Sequence, residues 1–124
     1  MRKLIPALLL VVSSCGMLGP ERPAYLVFFE AKSPSLTATA SGVIAQAAAA
    51  ANAAPGSTVV VRGYTGSQGS PQADIVLSQL RAKAVADALA ADGVAPGRIT
   101  REGRGQTQGE PGVESRRVEI LIRG

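Results

Sequence analysis

The chain has 124 residues, 46% of them hydrophobic but only 3% aromatic, with 13 Lys and Arg against 9 Asp and Glu, one Cys and neither His nor Trp. This length gives at most one domain with a modest core, in which every large side chain counts. Without His or a second Cys there are no usual zinc sites, no Ser-His-Asp or Cys-His nucleophile and no internal disulfide, so neither an enzyme nor a bound cofactor or metal is expected.

Arg2 and Lys3 precede the apolar run Leu4 to Val12, which ends in Ser13, Ser14, Cys15 and Gly16. A helix of such a run covers only ~14 Å against a hydrocarbon core of ~30 Å, so it reads as a secretory signal and not a membrane span. Val12-Ser13-Ser14-Cys15 resembles the bacterial lipobox, whose cysteine receives diacylglycerol and becomes the first residue after cleavage. The resemblance implies a signal peptide over 1–14, a lipidated Cys15, and an anchor and short linker over 15–23 ahead of a domain at 24–124. Gly16, in place of the aspartate linked to inner-membrane retention, implies the outer membrane, with the domain facing the periplasm. The alternative is a plain cleaved signal and a soluble periplasmic product. Subtracting Arg2 and Lys3 from the 13 basic residues leaves 11 against 9 acidic, a net charge of +2 that does not point to nucleic acid.

Gly16 to Pro23, punctuated by Gly19-Pro20 and Arg22-Pro23, reads as a linker whose full extension from Cys15 to Tyr25 is roughly 35 Å. Tyr25 to Phe29 is the first predicted strand. The hydroxyl-rich stretch Ser33 to Thr37 offers caps for a helix running to about Ala54, with Leu36, Val43, Ile44, Ala47 and Ala51 on one stripe and Pro55-Gly56 as its stop. Ser57 to Gly63 is a second strand, and its unbroken valines predict burial on both faces. After a loop from Tyr64 to Pro71, a second helix runs to about Asp92 with Leu77, Ala84, Val85, Ala88 and Leu89 lining one side; Arg81, one turn before Val85, sits beside that buried stripe. Arg98 to Glu102 and Val118 to Ile122 are the last strands. The glycine-rich segment Gly103 to Gly112 between them fits ordinary turns, and Arg98, Arg101 and Arg104 fit a solvated or partner-facing strip. The order β-α-β-α-β-β predicts an α/β (α+β) two-layer sandwich, a mixed sheet covered by two helices.

Several of these residues recur in order: Val27-Phe28-Phe29 and Leu36; Gly63-Tyr64-Thr65 and Gly69-Ser70; Leu77-Ser78, Arg81-Ala82 and Val85; Arg98; Gly103 and Gly105; and Arg116-Arg117-Val118-Glu119-Ile120. Over about Tyr25 to Ile122 they resemble the OmpA-like, peptidoglycan-associated domain family. The resemblance implies a non-enzymatic domain that holds the outer membrane to the cell wall by binding the diaminopimelate of the peptidoglycan stem peptide. That ligand ends in an ammonium and a carboxylate, which call for an acidic group and an arginine fork in a partly dry cleft. Arg81 matches the family's ligand-binding arginine and Arg116 the first arginine of its terminal run, with Thr65 and Asp74 as further pocket residues. A salt bridge or a cap on the preceding loop would also place Arg81 there.

The chain departs from the family where Gly66 stands at the aspartate that meets the ammonium, Asp74 at a ligand-contacting asparagine, Ala73 at an aromatic and Ser115 at the asparagine before Arg116. Losing one partner of a charge-assisted pair costs a few kcal/mol. Asp74 is a candidate for the missing carboxylate, and it also fits a first-turn aspartate that complements the helix dipole. Two readings follow. In the first, peptidoglycan and, through Cys15, outer-membrane lipid are the partners of a wall tether; in the second, a degenerate domain without wall binding serves as an interaction or assembly module for envelope proteins.

Overall fold

The computed structural model describes residues 25–66, 69–108 and 112–124; the expected leader, Cys15 and linker lie outside the described residues. In chain order come β1 (Tyr25–Phe28), α1 (Ala38–Ala53), β2 (Thr58–Thr65), α2 (Pro71–Ala91), β3 (Ile99–Gln106) and β4 (Arg117–Arg123), with 3-10 turns at Pro96–Arg98 and Gly112–Ser115. The four strands form one sheet in the order β1-β4-β2-β3. β4 runs antiparallel to both neighbours, with Val27 opposite Val118 and Val61 opposite Ile120, and β2 is parallel to β3, with Val59 opposite Ile99. The parallel pair needs a crossover, which α2 supplies. This is the predicted mixed sheet with helices on one face.

Each helix starts where a hydroxyl can accept an orphan amide. Thr37 Oγ1 accepts from Ala40 N at 3.1 Å and Ser70 Oγ from Ala73 N at 3.2 Å, with Pro71 in the first turn of α2, where no amide is required. Val27, Val59, Val61, Val118 and Ile120 from the sheet, Ile44, Ala47 and Ala51 from α1, and Val85 and Leu89 from α2 are fully buried in one cluster. Each such Val, Leu or Ile contributes about 1.5–3 kcal/mol. Val60 and Leu121, opposite one another on the far face, are also buried, so the valines of β2 are covered on both sides as expected.

Three expectations change. β2 runs on to Thr65 and β3 to Gln106, so Tyr64, Thr65, Gly103 and Gly105 lie in strands and not in loops. The glycines are there because α2 presses against the sheet: a Cβ at Gly63 would collide with the Ser78 carbonyl oxygen, and one at Gly103 would lie 2.8 Å from Gln79 N. The register slips between Gly63 and Thr65, β3 carrying one residue more than β2, and Gly105 takes φ +70° there while its amide donates to Ser78 Oγ at 2.8 Å. Second, the buried side of α2 is Asp74, Ser78, Arg81, Ala82, Val85, Ala86 and Leu89, whereas the expected Leu77, Ala84 and Ala88 are only half-buried. Small residues over the glycines set the helix's roll.

Third, Arg98 is no surface strip residue. Its guanidinium donates to the carbonyls of Ala51 (2.7 Å), Ala54 (3.2 Å) and Ser57 (3.0 Å), and to Ser57 Oγ (2.8 Å), satisfying the open end of α1.

Two glycines give opposite expectations. Gly63→Ala, forced against backbone, lowers unfolding free energy by about 3 kcal/mol or abolishes folding, whereas Gly42→Ala, within α1 and with nothing within 4 Å of its would-be Cβ, raises it by about 0.5–1 kcal/mol. Urea denaturation followed by circular dichroism measures both.

Candidate functional site

Where β2 ends and α2 begins, the glycine-mediated approach leaves a cavity of about 240 Å³ between Thr65 and Gly66, the first turns of α2, the 31–32 turn and the start of β4. All four residues expected of the site, Thr65, Asp74, Arg81 and Arg116, line it. Lys32, Leu77 and Ser115 complete much of its wall.

Arg81 lies on the buried side of α2 and is 1% exposed. Its three nitrogens each donate to a carbonyl: Nε to Ser33 O at 2.9 Å, Nη1 to Tyr64 O at 3.1 Å and Nη2 to Glu30 O at 3.0 Å. The guanidinium carbon sits 5.2 Å from the centroid of the Phe29 ring, within cation–π range. Burial, then the neighbouring Arg116, pushes the Arg81 pKa down to about 10, with Asp74 acting in the opposite sense. The group stays protonated at neutral pH.

Arg81 therefore holds the backbone of two other segments, the turn after β1 and the end of β2. It bridges the two ends of a turn in which Ser33 N donates to Glu30 O at 3.2 Å and Lys32 adopts φ +58°. A side chain in that left-handed region costs on the order of 1–2 kcal/mol. The turn places Lys32 at the cavity wall, a contribution that no motif in the sequence announced.

Arg116 is fixed by reciprocal bonds that carry the β1–β4 ladder one step further, Phe29 N donating to Arg116 O at 2.8 Å and Arg116 Nε to Phe29 O at 2.9 Å. Phe29 thus lies against both arginines. Asp74, 7% exposed, accepts on Oδ2 from Gln106 Nε2 at 2.6 Å and from Gly69 N at 3.3 Å. Gln106 was not among the expected site residues; it reaches Asp74 only because β3 extends four residues beyond Glu102.

Thr65 is different. Its carbonyl accepts from Thr107 N at 2.9 Å, but its hydroxyl, on a residue 2% exposed, is the buried side-chain polar atom without a partner among the described residues. Such an atom costs about 1–3 kcal/mol unless something meets it. At Gly66 a Cβ would lie 2.9 Å from Ser115 Oγ, which now donates to Gly112 O at 2.7 Å; a side chain at position 66 would displace that hydroxyl. The cavity thus offers guanidinium N–H groups, an ammonium and an unpaired hydroxyl, an arrangement suited to holding a carboxylate.

The sequence pattern of the OmpA family matches residues 28–117. Among solved structures, the peptidoglycan-associated lipoprotein from Burkholderia pseudomallei is similar with a TM-score of 0.74 at 23% identity, covering 80% of this chain and 90% of that one. The OmpA-like domain of FopA1 from Francisella tularensis subsp. tularensis gives 0.70 at 27% identity over 79% of this chain and 70% of that one. The C-terminal domain of Helicobacter pylori MotB gives 0.69 at 25%, over 85% and 86%. No curated protein matches the sequence significantly.

The contrast between Arg81 and Thr65 is measurable as stability. Arg81→Lys, which keeps a charge but loses the planar fork serving the carbonyls of Glu30, Ser33 and Tyr64, is expected to lower unfolding free energy by at least about 2 kcal/mol. Thr65→Val, which deletes an unpaired buried hydroxyl at constant volume, leaves it within about 1 kcal/mol or raises it. Denaturant titration of the two variants checks this, and a large loss in Thr65→Val would mean that the hydroxyl has a partner.

Proposed function

The chain belongs to the OmpA family, and we propose that it binds peptidoglycan noncovalently through the diaminopimelate of the stem peptide, as a binding module and not an enzyme. In this reading Arg81 and Arg116 face the ligand's carboxylate, and Thr65 and Asp74 shape the rest of the cavity. The observation that carries it is the convergence of these four residues on one cavity that also holds an unpartnered buried hydroxyl. A protein of the same fold is named a peptidoglycan-associated lipoprotein, which supports the same ligand. With Cys15 acylated, the domain is tethered to the periplasmic face of the outer membrane, within roughly 35 Å of linker, and joins membrane to wall.

Arg81 is a poor first target because its removal strips three backbone carbonyls of their partner. Thr65→Val and Arg116→Gln are better. The full chain in detergent is expected to pellet saturably with purified diaminopimelate-type sacculi, and each variant to weaken that binding about tenfold, the loss of about 1.4 kcal/mol that one hydrogen bond in a dry site represents. Wild-type protein that stays in the supernatant would transfer the function to the envelope-protein reading, which the engagement of Asp74 by Gln106 and Gly69 favours.

The anchor has its own test. Cells expressing the chain and fed labelled palmitate should yield a labelled band that disappears in Cys15→Ala; an unlabelled wild type refutes the anchor and leaves wall binding untouched.

A further inference from the structure

The charges around the cavity do not balance. Among the described residues that line it, Lys32, Arg81 and Arg116 are cationic and Asp74 alone is acidic. Asp74 already accepts from Gln106 and from the Gly69 amide. Glu30 and Glu114, the nearest other acids in sequence to these walls, are exposed and do not line the cavity. Arg81 is satisfied by carbonyl dipoles, which stabilise its charge without cancelling it.

A free diaminopimelate terminus is a zwitterion, with an ammonium on the same carbon as its carboxylate. Drawing the carboxylate toward Arg81 and Arg116 would bring that ammonium among three cations, with only the engaged Asp74 to offset them. If the amine is acylated instead, it becomes a neutral amide whose N–H needs one acceptor. The Thr65 hydroxyl is such an acceptor, buried on the same wall and unpaired.

We infer that the cavity selects a carboxylate whose adjacent amine is acylated, as at a cross-linked diaminopimelate, over one whose amine is free. The inference rests on the wall-binding reading and refines it: the domain marks cross-linked wall and not nascent, uncross-linked stems.

Calorimetric titration of the full chain in detergent with two synthetic peptides separates the possibilities. One is L-Ala-γ-D-Glu-meso-diaminopimelate with its terminal amine free; the other is the same peptide N-acetylated at that amine. The acetylated peptide is expected to bind about tenfold tighter, and Gly66→Asp, which plants a carboxylate at this wall, to narrow or reverse the ratio. Equal or tighter binding of the free-amine peptide to the wild type overturns the selectivity and leaves wall binding standing. Binding of neither peptide overturns both.

Discussion

The buried guanidinium of Arg81 organises the end of the molecule where the cavity lies. It joins three segments that sequence separates widely: the turn after β1 through Glu30 and Ser33, the end of β2 through Tyr64, and α2 on which it is carried. A charge at 1% exposure is expensive to bury, and here carbonyl dipoles and the face of Phe29 offset the loss of water. The same bonds hold Lys32 in its left-handed backbone conformation, so the strain of that residue is borne by a side chain 49 positions away. Removing Arg81 would therefore release a wall of the cavity as well as one of the cations that line it.

Arg81 reaches those carbonyls only because α2 lies unusually close to the sheet. Gly63 and Gly103 permit backbone contact with Ser78 and Gln79, and Ser78 Oγ ties the helix to Gly105 by accepting that residue's amide. Here the slip in register between Gly63 and Thr65 coincides with Gly105 and its positive φ. Packing of the helix, termination of the strand and the shape of the cavity are thus one construction. A larger residue at Gly63 would lift α2 and separate the four site residues together.

The layers of the fold were legible because they depend on patterns that repeat: the valine run of β2, alternation in β4, and alanine with Ile44 at helical spacing in α1. Thr65, Asp74, Arg81 and Arg116 were legible through their order in a family pattern, which says where residues converge but not what already occupies their atoms. What stayed hidden was non-local. Gly103 and Gly105 look like turn residues until α2 is placed over them, and Arg98 looks like a surface charge until the open carbonyls of Ala51, Ala54 and Ser57 are brought to it across more than 40 residues. Lys32 and Gln106 belong to no motif; a strained turn brings Lys32 to the cavity, and a lengthened strand brings Gln106 to Asp74.

The far face of the sheet shows that the positive cavity is a choice of placement and not a consequence of composition. There Arg62 and Arg104 both meet Glu102, and Arg117 meets Glu119 while stacking 4.4 Å from the centroid of the Tyr64 ring. The hydrogen bond from Arg104 is the main reason the Glu102 carboxyl is held below its usual range; burial, then Glu119, pushes the Tyr64 phenol up. On that face Arg62 and Arg104 share the carboxylate of Glu102, and Arg117 pairs with Glu119. Around the cavity the arginines are satisfied by the carbonyls of Glu30, Ser33, Tyr64 and Phe29, which leave the net charge intact and directed inward. A surface salt bridge is worth little and is screened by salt, whereas a cation held by dipoles in a partly dry cleft keeps its attraction for an anion that enters. The same residue type thus stabilises a surface on one side of the sheet and gives the cavity at its end an uncancelled positive charge.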